Sequence, residues 1–185
     1  MSNMNSLLKS NERVLWSGKP VKTAFIATGL VPIPFGLVFL IFSLFWVFSA
    51  YSAGAPGFFT LFGLPFVLIG IGLTFGPSIW QLLRYRNTEY AITNQRVITQ
   101  TGAIGLDTRF VDFDKIQEVY VKIGFSDKLF GTGSVYVLTA GSNLFGYRGR
   151  SGYGSGGMRP SLAALREPYK VQKILQEAIE IGKKP

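Results

Sequence analysis

The fold is decided by residues 23–83, which read TAFIATGLVPIPFGLVFLIFSLFWVFSAYSAGAPGFFTLFGLPFVLIGIGLTFGPSIWQLL and contain no Asp, Glu, Lys or Arg. A helix that crosses a bilayer needs about 20 consecutive apolar residues, so this stretch is long enough for two. It divides naturally at residues 49–56, SAYSAGAP, which are mostly small and turn-forming. We therefore expect a hairpin of two transmembrane helices, over about residues 24–48 and 57–80.

Prolines and glycines fall inside both predicted helices. Pro34 predicts a kink or a delayed helix start in the first, because proline lacks the backbone donor that a helix interior needs. Gly72 and Gly76 have the small-xxx-small spacing that lets two helix backbones approach closely. Glycine is also simply frequent in membrane helices, so close packing at this pair is one of two open interpretations.

Basic residues border the predicted hairpin at both of its ends, whereas the loop between the helices has none. Lys19 and Lys22 precede the first helix, and Arg84 and Arg86 follow the second. The positive-inside rule therefore predicts a multi-pass protein of the plasma membrane with both termini in the cytoplasm. Because they border the spans, these four residues are also candidate contacts for anionic lipid headgroups. Residues 1–22 form a cytoplasmic N-terminal segment in this interpretation.

From residue 84 onward, short apolar runs replace the long ones, and glycines separate many of them. Tyr90–Ile92 and Val97–Ile98 flank Asn94–Gln95, a pattern that predicts two strands joined by a tight turn. Further strands are predicted over residues 109–113, 116–123 and 134–139. Several short strands at this spacing favour an antiparallel β-sandwich or barrel.

The end of the sequence predicts one amphipathic helix. Apolar residues recur at the spacing i, i+3, i+4 and i+7, as Val171, Ile174, Leu175 and Ala178. Pro168 suits the first turn of such a helix, where its missing donor is not needed. A stripe of this kind usually packs against a protein core, although it can also lie on lipid.

Several motifs, taken in order, resemble those of a known family. Residues 12–20, ERVLWSGKP, resemble the family's opening, and residues 90–98, YAITNQRVI, resemble its Y-x-l-T-n-x-R-v-i pattern. Residues 115–119, KIQEV, and 129–135, LFGTGSV, match two further motifs. The family is that of the membrane-anchored bacterial pleckstrin-homology-like (PH-like) proteins of the YdbS/YdbT type, the second bacterial PH family.

The resemblance implies a PH-like fold, in which two nearly orthogonal antiparallel sheets are capped by the C-terminal helix. Together with the hairpin, it gives an expected α+β architecture. Residues 23–83 would form the transmembrane helices, and residues 84–185 would form a cytoplasmic PH-like β-sandwich or barrel with a C-terminal helix. The resemblance implies no catalytic residues and no established substrate.

A glycine-rich insert over residues 141–160 departs from the family, which usually has a short turn here. Its Arg148, Arg150 and Arg159 are candidate contacts for lipid headgroups if the insert reaches the bilayer. Arginine, glycine and tyrosine together can also bind single-stranded nucleic acid, or form a solvated flexible loop. Residues 152–157 formally fit G-x-G-x-x-G, but they lack the strand and helix that surround a dinucleotide site.

Composition restricts the chemistry that the chain can carry. It has no Cys and no His, which excludes disulfides, thiol nucleophiles, Cys/His zinc sites and imidazole catalysis. Asp112 and Asp114 are interpreted as exposed turn residues or partners of Lys115 and Arg96, not as a catalytic carboxylate pair. A structural salt bridge is likewise the favoured role of Arg96. We therefore predict no catalytic residue, no metal site and no cofactor.

The sequence favours an integral membrane protein that presents a PH-like binding or scaffolding domain at the cytoplasmic face, without enzymatic activity. Membrane lipids and a protein partner are the expected ligands. The net charge of +9 suits anionic lipid but would suit nucleic acid equally well. Two alternatives therefore stay open: a nucleic-acid tether that uses the insert, and a membrane enzyme that acts on lipid, for which no nucleophile–base cluster is visible.

Overall fold

The computed structural model describes residues 7–140 and 161–182. Contacts within the chain divide it into two compact units. Residues Ile26–Leu82 form a helical unit, and the described residues before and after them, 7–25, 83–140 and 161–182, form a second unit, which we call the β unit. The chain therefore starts in the β unit, passes through the helical unit and returns.

The helical unit confirms the expected pair of long apolar helices. A short helix α1 (Lys22–Ala27) leads through a 3-10 turn (Thr28–Leu30) into α2 (Ile33–Ser52), and α3 covers Gly57–Arg86. The two helical segments, of 31 and 30 residues, are long and apolar enough to cross a membrane. The delayed start predicted near Pro34 is confirmed, because α2 begins at Ile33 and Pro34 lies in its first turn.

Close packing of α2 on α3 depends on glycines other than the pair that sequence spacing singled out. A Cβ added at Gly36 or Gly70 would lie 2.7 or 2.9 Å from a backbone atom of the facing helix. Apart from the backbone of α3 itself, no described part of the chain lies within 4 Å of a Cβ added at Gly72 or Gly76. The close-packing interpretation of that pair is wrong, because a turn of about 3.6 residues places both on a different face from Gly70.

The β unit consists of two antiparallel sheets and a C-terminal helix, which confirms the predicted α+β architecture. A four-stranded sheet has the order β1 (Val14–Gly18), β2 (Glu89–Thr93), β3 (Arg96–Thr101) and β4 (Asp107–Asp112). A three-stranded sheet has the order β5 (Ile116–Lys122), β6 (Gly133–Thr139) and β7 (Ser161–Leu165). The short helix α4 (Phe125–Phe130) joins β5 to β6, and α5 spans Pro168–Gly182.

One hydrophobic core joins both sheets and α5. Ile92 and Val97 come from the first sheet and Val135 from the second, and all are fully buried. The predicted stripe of α5 is confirmed as core-facing, because Leu175 and Ala178 are buried in the same cluster. Burial of these apolar side chains is the main force that holds the two sheets face to face.

The local strand predictions also agree with the structure. β2 and β3 pair directly around the Asn94–Gln95 turn, with Ile92 opposite Val97. The predicted strand over residues 116–123 is confirmed as β5, with a bulge where the register with β6 shifts between Ile116 and Glu118.

The described part of the N-terminal segment belongs to the β unit. The sequence predicts a cytoplasmic segment over residues 1–22 and a PH-like domain from residue 84, and in the structure β1 pairs antiparallel with β2, with Gly18 opposite Tyr90. The apolar hairpin is therefore inserted between the first two strands of one sheet. A short strand whose partner lies on the far side of such an insertion leaves no local pattern that fixes its pairing.

Besides β1, two further elements were not predicted, β7 and α4. The sequence of β7, SLAAL, consists mainly of Leu and Ala, which are among the strongest helix formers. Its burial between β6 and the core overrides that propensity, because four of its five residues are buried.

Candidate functional site

Strand direction gives the β unit two distinct ends. At one end, β1 stops at Gly18, and β2 starts at Glu89 directly after α3. Both chain connections to the helical unit leave from this end, which we call the proximal end. At the opposite end, which we call the distal end, lie the Asn94–Gln95 turn and the last turn of α5. A Cβ added at Gly182 would lie 3.5 Å from the Asn94 carbonyl oxygen.

The proximal end is built around an irregular stretch of β7. This strand pairs with β6 at Leu162 and Leu165 with a slip between them, so that Ala163 and Ala164 form a bulge. Ala164 is fully buried and has a positive φ of 52°, which residues with a Cβ adopt infrequently. Its carbonyl oxygen accepts a hydrogen bond from the backbone N–H of Val21 at 2.7 Å.

The first turn of α1 and the last turn of α3 meet at this bulge. Ala24 and Phe25 are buried against Ala164, and Val21 and Tyr85 pack on the same cluster. The rings of Phe25 and Tyr85 lie 6.2 Å apart between centroids. The chain is therefore fixed to one point of the β unit both on its way into the hairpin and on its way out. We call this five-residue cluster the junction.

Side chains from both sheets hold the bulge in place. Ser134 Oγ, on β6, accepts a hydrogen bond from the Ala164 N–H at 3.3 Å. Tyr90, on β2 in the other sheet, hydrogen-bonds through its hydroxyl with the backbone of Ala163. Tyr90 is only 2% exposed, and burial raises the pKa of its hydroxyl far above the usual range. It therefore stays neutral and acts as a fixed connection between the sheets.

The distal end contains a buried ion pair between Glu12 and Arg96. Arg96 Nε donates to Glu12 Oε1 and Arg96 Nη2 to Glu12 Oε2, both at 2.9 Å, so the pair is bidentate. Arg96 Nη2 also donates to the Leu7 carbonyl at 2.9 Å, and Thr93 Oγ1 donates to Glu12 Oε1 at 2.8 Å. The guanidinium carbon lies 4.3 Å from the centre of the Phe110 ring.

Comparison with known proteins agrees with this architecture. A family model described as Bacterial PH domain matches residues 25–179 of the chain. The chain belongs to the bacterial PH domain family. The match begins after β1, so the strand that completes the first sheet of this PH domain lies outside the matched region. From here on, the β unit is called the PH domain.

One solved structure that resembles this PH domain protein is a DUF1696 family protein with a pleckstrin-homology domain from Shewanella loihica PV-4. The two share 12% sequence identity at a TM-score of 0.34, over 52% of this chain and 74% of the other. A likeness at that level carries no argument about function. No curated protein shows significant similarity to the sequence.

The distal ion pair of the PH domain is structural, as the sequence predicted for Arg96. The Glu12 side chain is fully buried, and burial by itself raises the pKa of its carboxyl. Hydrogen bonds from Arg96, the Lys9 amide and Thr93 outweigh burial and hold that pKa below its ordinary value of 4.5. The ion partner of Arg96 is thus Glu12, whereas Asp112 pairs with Lys115 at 3.3 Å.

Four of the residues predicted to contact lipid lie together at the proximal end of the PH domain. Lys19 Nζ lies 2.8 Å from Glu89 Oε1, across the ends of β1 and β2, and half of the Lys19 side chain is exposed. Lys22 begins α1, and Arg84 and Arg86 lie in the last turn of α3. The fold thus collects at one end basic residues that are far apart in sequence, and their contact with headgroups stays a prediction.

The other predicted lipid contacts, Arg148, Arg150 and Arg159, lie outside the described residues. The described strand that leads into their insert ends at Thr139, which pairs with Ile116 at the distal end. The proposed roles of the insert, at lipid or at nucleic acid, stay predictions.

The part of the chain that the structure describes has no group of three or more Asp and Glu residues that could hold a metal ion. Asp127, a buried carboxylate, instead caps its own short helix. Its Oδ2 accepts the Gly124 N–H at 2.9 Å, and its Oδ1 accepts the Thr132 hydroxyl at 3.1 Å.

Proposed function

We propose that this protein is a membrane-anchored PH domain protein whose hairpin crosses the plasma membrane twice. The PH domain then lies at the cytoplasmic face as a binding or scaffolding module. The observation that carries this proposal is the junction, where the two ends of an apolar hairpin are fixed to the same bulge of the PH domain. Both chain connections to the hairpin therefore leave the PH domain from its proximal end.

Charge supports the orientation. Lys19, Lys22, Arg84 and Arg86 all lie at the proximal end, and the loop at the other end of the hairpin, residues 53–56, carries no charge. Basic residues at the ends of spans remain on the cytoplasmic side, which assigns the PH domain to that side. Attraction to the anionic inner leaflet, worth about 1 kcal/mol per basic residue near the surface, acts in the same direction.

The inserted topology supports a scaffolding role. A domain on one flexible linker can turn freely, whereas this PH domain is connected through a strand before the hairpin and a strand after it. Both connections are ordered and meet at the junction. A partner bound by this PH domain would therefore be tethered to the hairpin through two chain connections, which suits a scaffold.

Cysteine labelling tests the topology, because the chain has no native Cys. Ser52→Cys places a thiol at the end of α2, and Gln95→Cys places a matched exposed thiol in the distal turn. In intact bacterial cells, a membrane-impermeant maleimide should label the first and should label the second only after permeabilisation. Labelling of Ser52→Cys only from the inside, or recovery of the protein in the soluble fraction, would overturn the proposal.

A further inference from the structure

The proximal end carries two connections that expose large apolar side chains. In the loop between β3 and β4, Ile104 is 86% exposed and Leu106 is 62% exposed. In α4, Phe125 is 83% exposed and Leu129 is 69% exposed. Single exposed apolar residues are normal on protein surfaces, but a group at one end of a domain marks an interaction surface. We call these four residues the apolar tips.

Strand pairing places both connections beside the junction. The β3–β4 loop follows Gln100 and Thr101, and Gln100 pairs with Glu89, which comes directly after the end of α3. Helix α4 leads into Gly133, which pairs with Leu165 next to the bulge that holds α1. The apolar tips thus lie at the end from which the chain leaves for the hairpin and to which it returns.

Local structure holds the tips in fixed positions. Asp127 caps α4 at both ends, since it accepts the Gly124 N–H and the Thr132 hydroxyl, and Gly131 ends the helix with a φ of 61°. In the other connection, the Gly102 backbone passes so close to the Gly105 carbonyl that no side chain fits between them. The exposed side chains are therefore presented by closed turns and not by a loose loop.

The surroundings of the tips match the interfacial layer of a bilayer. Lys122 and Lys128 are exposed on either side of Phe125, so positive charge lies next to apolar surface. Anionic headgroups attract such lysines, while the acyl boundary accepts the apolar side chains. The distal connections differ, because the Asn94–Gln95 turn and the exposed pair Asp114 and Lys115 are polar.

We propose that the apolar tips insert into the interfacial layer of the same leaflet that the hairpin enters, so that the PH domain docks on lipid through its proximal end. The inference rests on the proposed function, because it requires the hairpin to cross the membrane. Lipid is the occupant that we favour, since exposed apolar side chains and lysines lie at the end from which both connections to the apolar hairpin leave. The lysines beside the tips would favour anionic over neutral headgroups.

Site-directed fluorescence on the full chain tests the proposal. Ile104→Cys and Ile181→Cys form a matched pair, because the same residue type is highly exposed at the proximal end and 71% exposed in the last turn of α5 at the distal end. Each variant would carry an environment-sensitive label and would be reconstituted in vesicles of phosphatidylcholine and phosphatidylglycerol. We expect the label at residue 104 to be blue-shifted and quenched by lipid-borne quenchers at least several-fold more than the label at residue 181.

Further labelled variants distinguish failure of the proposed function from failure of this docking inference. A label at Phe42→Cys, on the exposed face of α2, reports insertion of the hairpin itself. If that label is not quenched by lipid, the proposed function fails. If it is quenched while labels at Ile104→Cys and Leu129→Cys stay as accessible to aqueous quenchers as the distal label, only the present inference is overturned. Tips shielded from water but not quenched by lipid would overturn it in favour of a protein partner.

Discussion

At the distal end of the PH domain a carboxylate and a guanidinium are buried together, whereas at the proximal end four large apolar side chains are exposed. The distal residues Glu12 and Arg96 satisfy each other, with Thr93 and the Leu7 carbonyl completing the network. The charges of the distal ion pair are therefore satisfied within the chain. The apolar tips of the proximal end stay exposed in the chain, and our proposal is that the bilayer covers them.

The two ends of the PH domain also differ in the energetic consequence of losing one side chain. A buried ion pair is tolerable only when both partners are present, because each charge alone would be uncompensated in a low-dielectric environment. An exposed apolar side chain needs no partner, but its transfer out of water lowers the free energy of the system. Removal of one residue of the distal ion pair should therefore lower the stability of the PH domain. Removal of one of the apolar tips should instead weaken its docking on lipid.

The largest effect is expected from Glu12→Ala, which leaves the Arg96 guanidinium buried without its counter-charge. We expect the free energy of unfolding of the PH domain to fall by about 3–5 kcal/mol. Hydrogen exchange of the β3 amides in the detergent-solubilised full chain would measure it. The matched control is Asp112→Ala, which removes the exposed pair with Lys115 and should cost about 0–1 kcal/mol. If Glu12→Ala and Asp112→Ala lowered the free energy of unfolding equally, burial of the distal ion pair would not be the cause of its larger effect.

A smaller effect is expected at the junction from Ala164→Val. The φ of 52° at this buried position is a strained one for a β-branched residue, so the bulge should lose about 1–3 kcal/mol of local stability. Exchange of the Val21 amide, which donates to the Ala164 carbonyl, should accelerate accordingly. Ala164→Gly removes the Cβ and should leave exchange nearly unchanged. Acceleration by glycine as large as that by valine would mean that strain is not the cause.

The smallest effect is the pH dependence of the distal ion pair. The pKa of Glu12 is held below 4.5 in the folded state, so its charge stabilises the fold fully above about that pH. This contribution is lost as the pH falls through the folded pKa. The free energy of unfolding of the wild type exceeds that of Glu12→Gln by an amount that should therefore decrease as the pH falls, by at most about 1.4 kcal/mol per pH unit. A constant gap down to full acid unfolding would show that the carboxylate is not stabilised in this way.

Local patterns in the sequence were sufficient for some elements. An uncharged stretch long enough for two helices predicts two helices wherever the rest of the chain lies. The β2–β3 hairpin follows from two apolar runs around Asn94–Gln95, and α5 follows from the periodic stripe that ends at Ala178. In each case the residues that decide the element are neighbours in sequence, so their pattern survives without knowledge of the fold.

Only part of the candidate site could be predicted from the sequence. The sequence identified Arg96 as a structural ion-pair residue, but its partner Glu12 lies 84 positions away and could not be chosen over Asp112. Lys19 and Arg84 were recognised as bordering the spans, but their shared location at the proximal end depends on β1 pairing with β2. The apolar tips gave no sequence signal, because Ile104 and Phe125 look like ordinary core residues until their exposure is known.

The sequence by itself determined the apolar hairpin, the strands with clear alternation and the amphipathic C-terminal helix, because these depend on the spacing of neighbouring side chains. Only the tertiary structure decided that β1 completes the first sheet across the inserted hairpin, that the helix-forming sequence of β7 is a buried strand, and that Ala164 holds both ends of the hairpin. These features arise from contacts between distant segments, where the gain from burying apolar surface and pairing backbone groups outweighs local propensity.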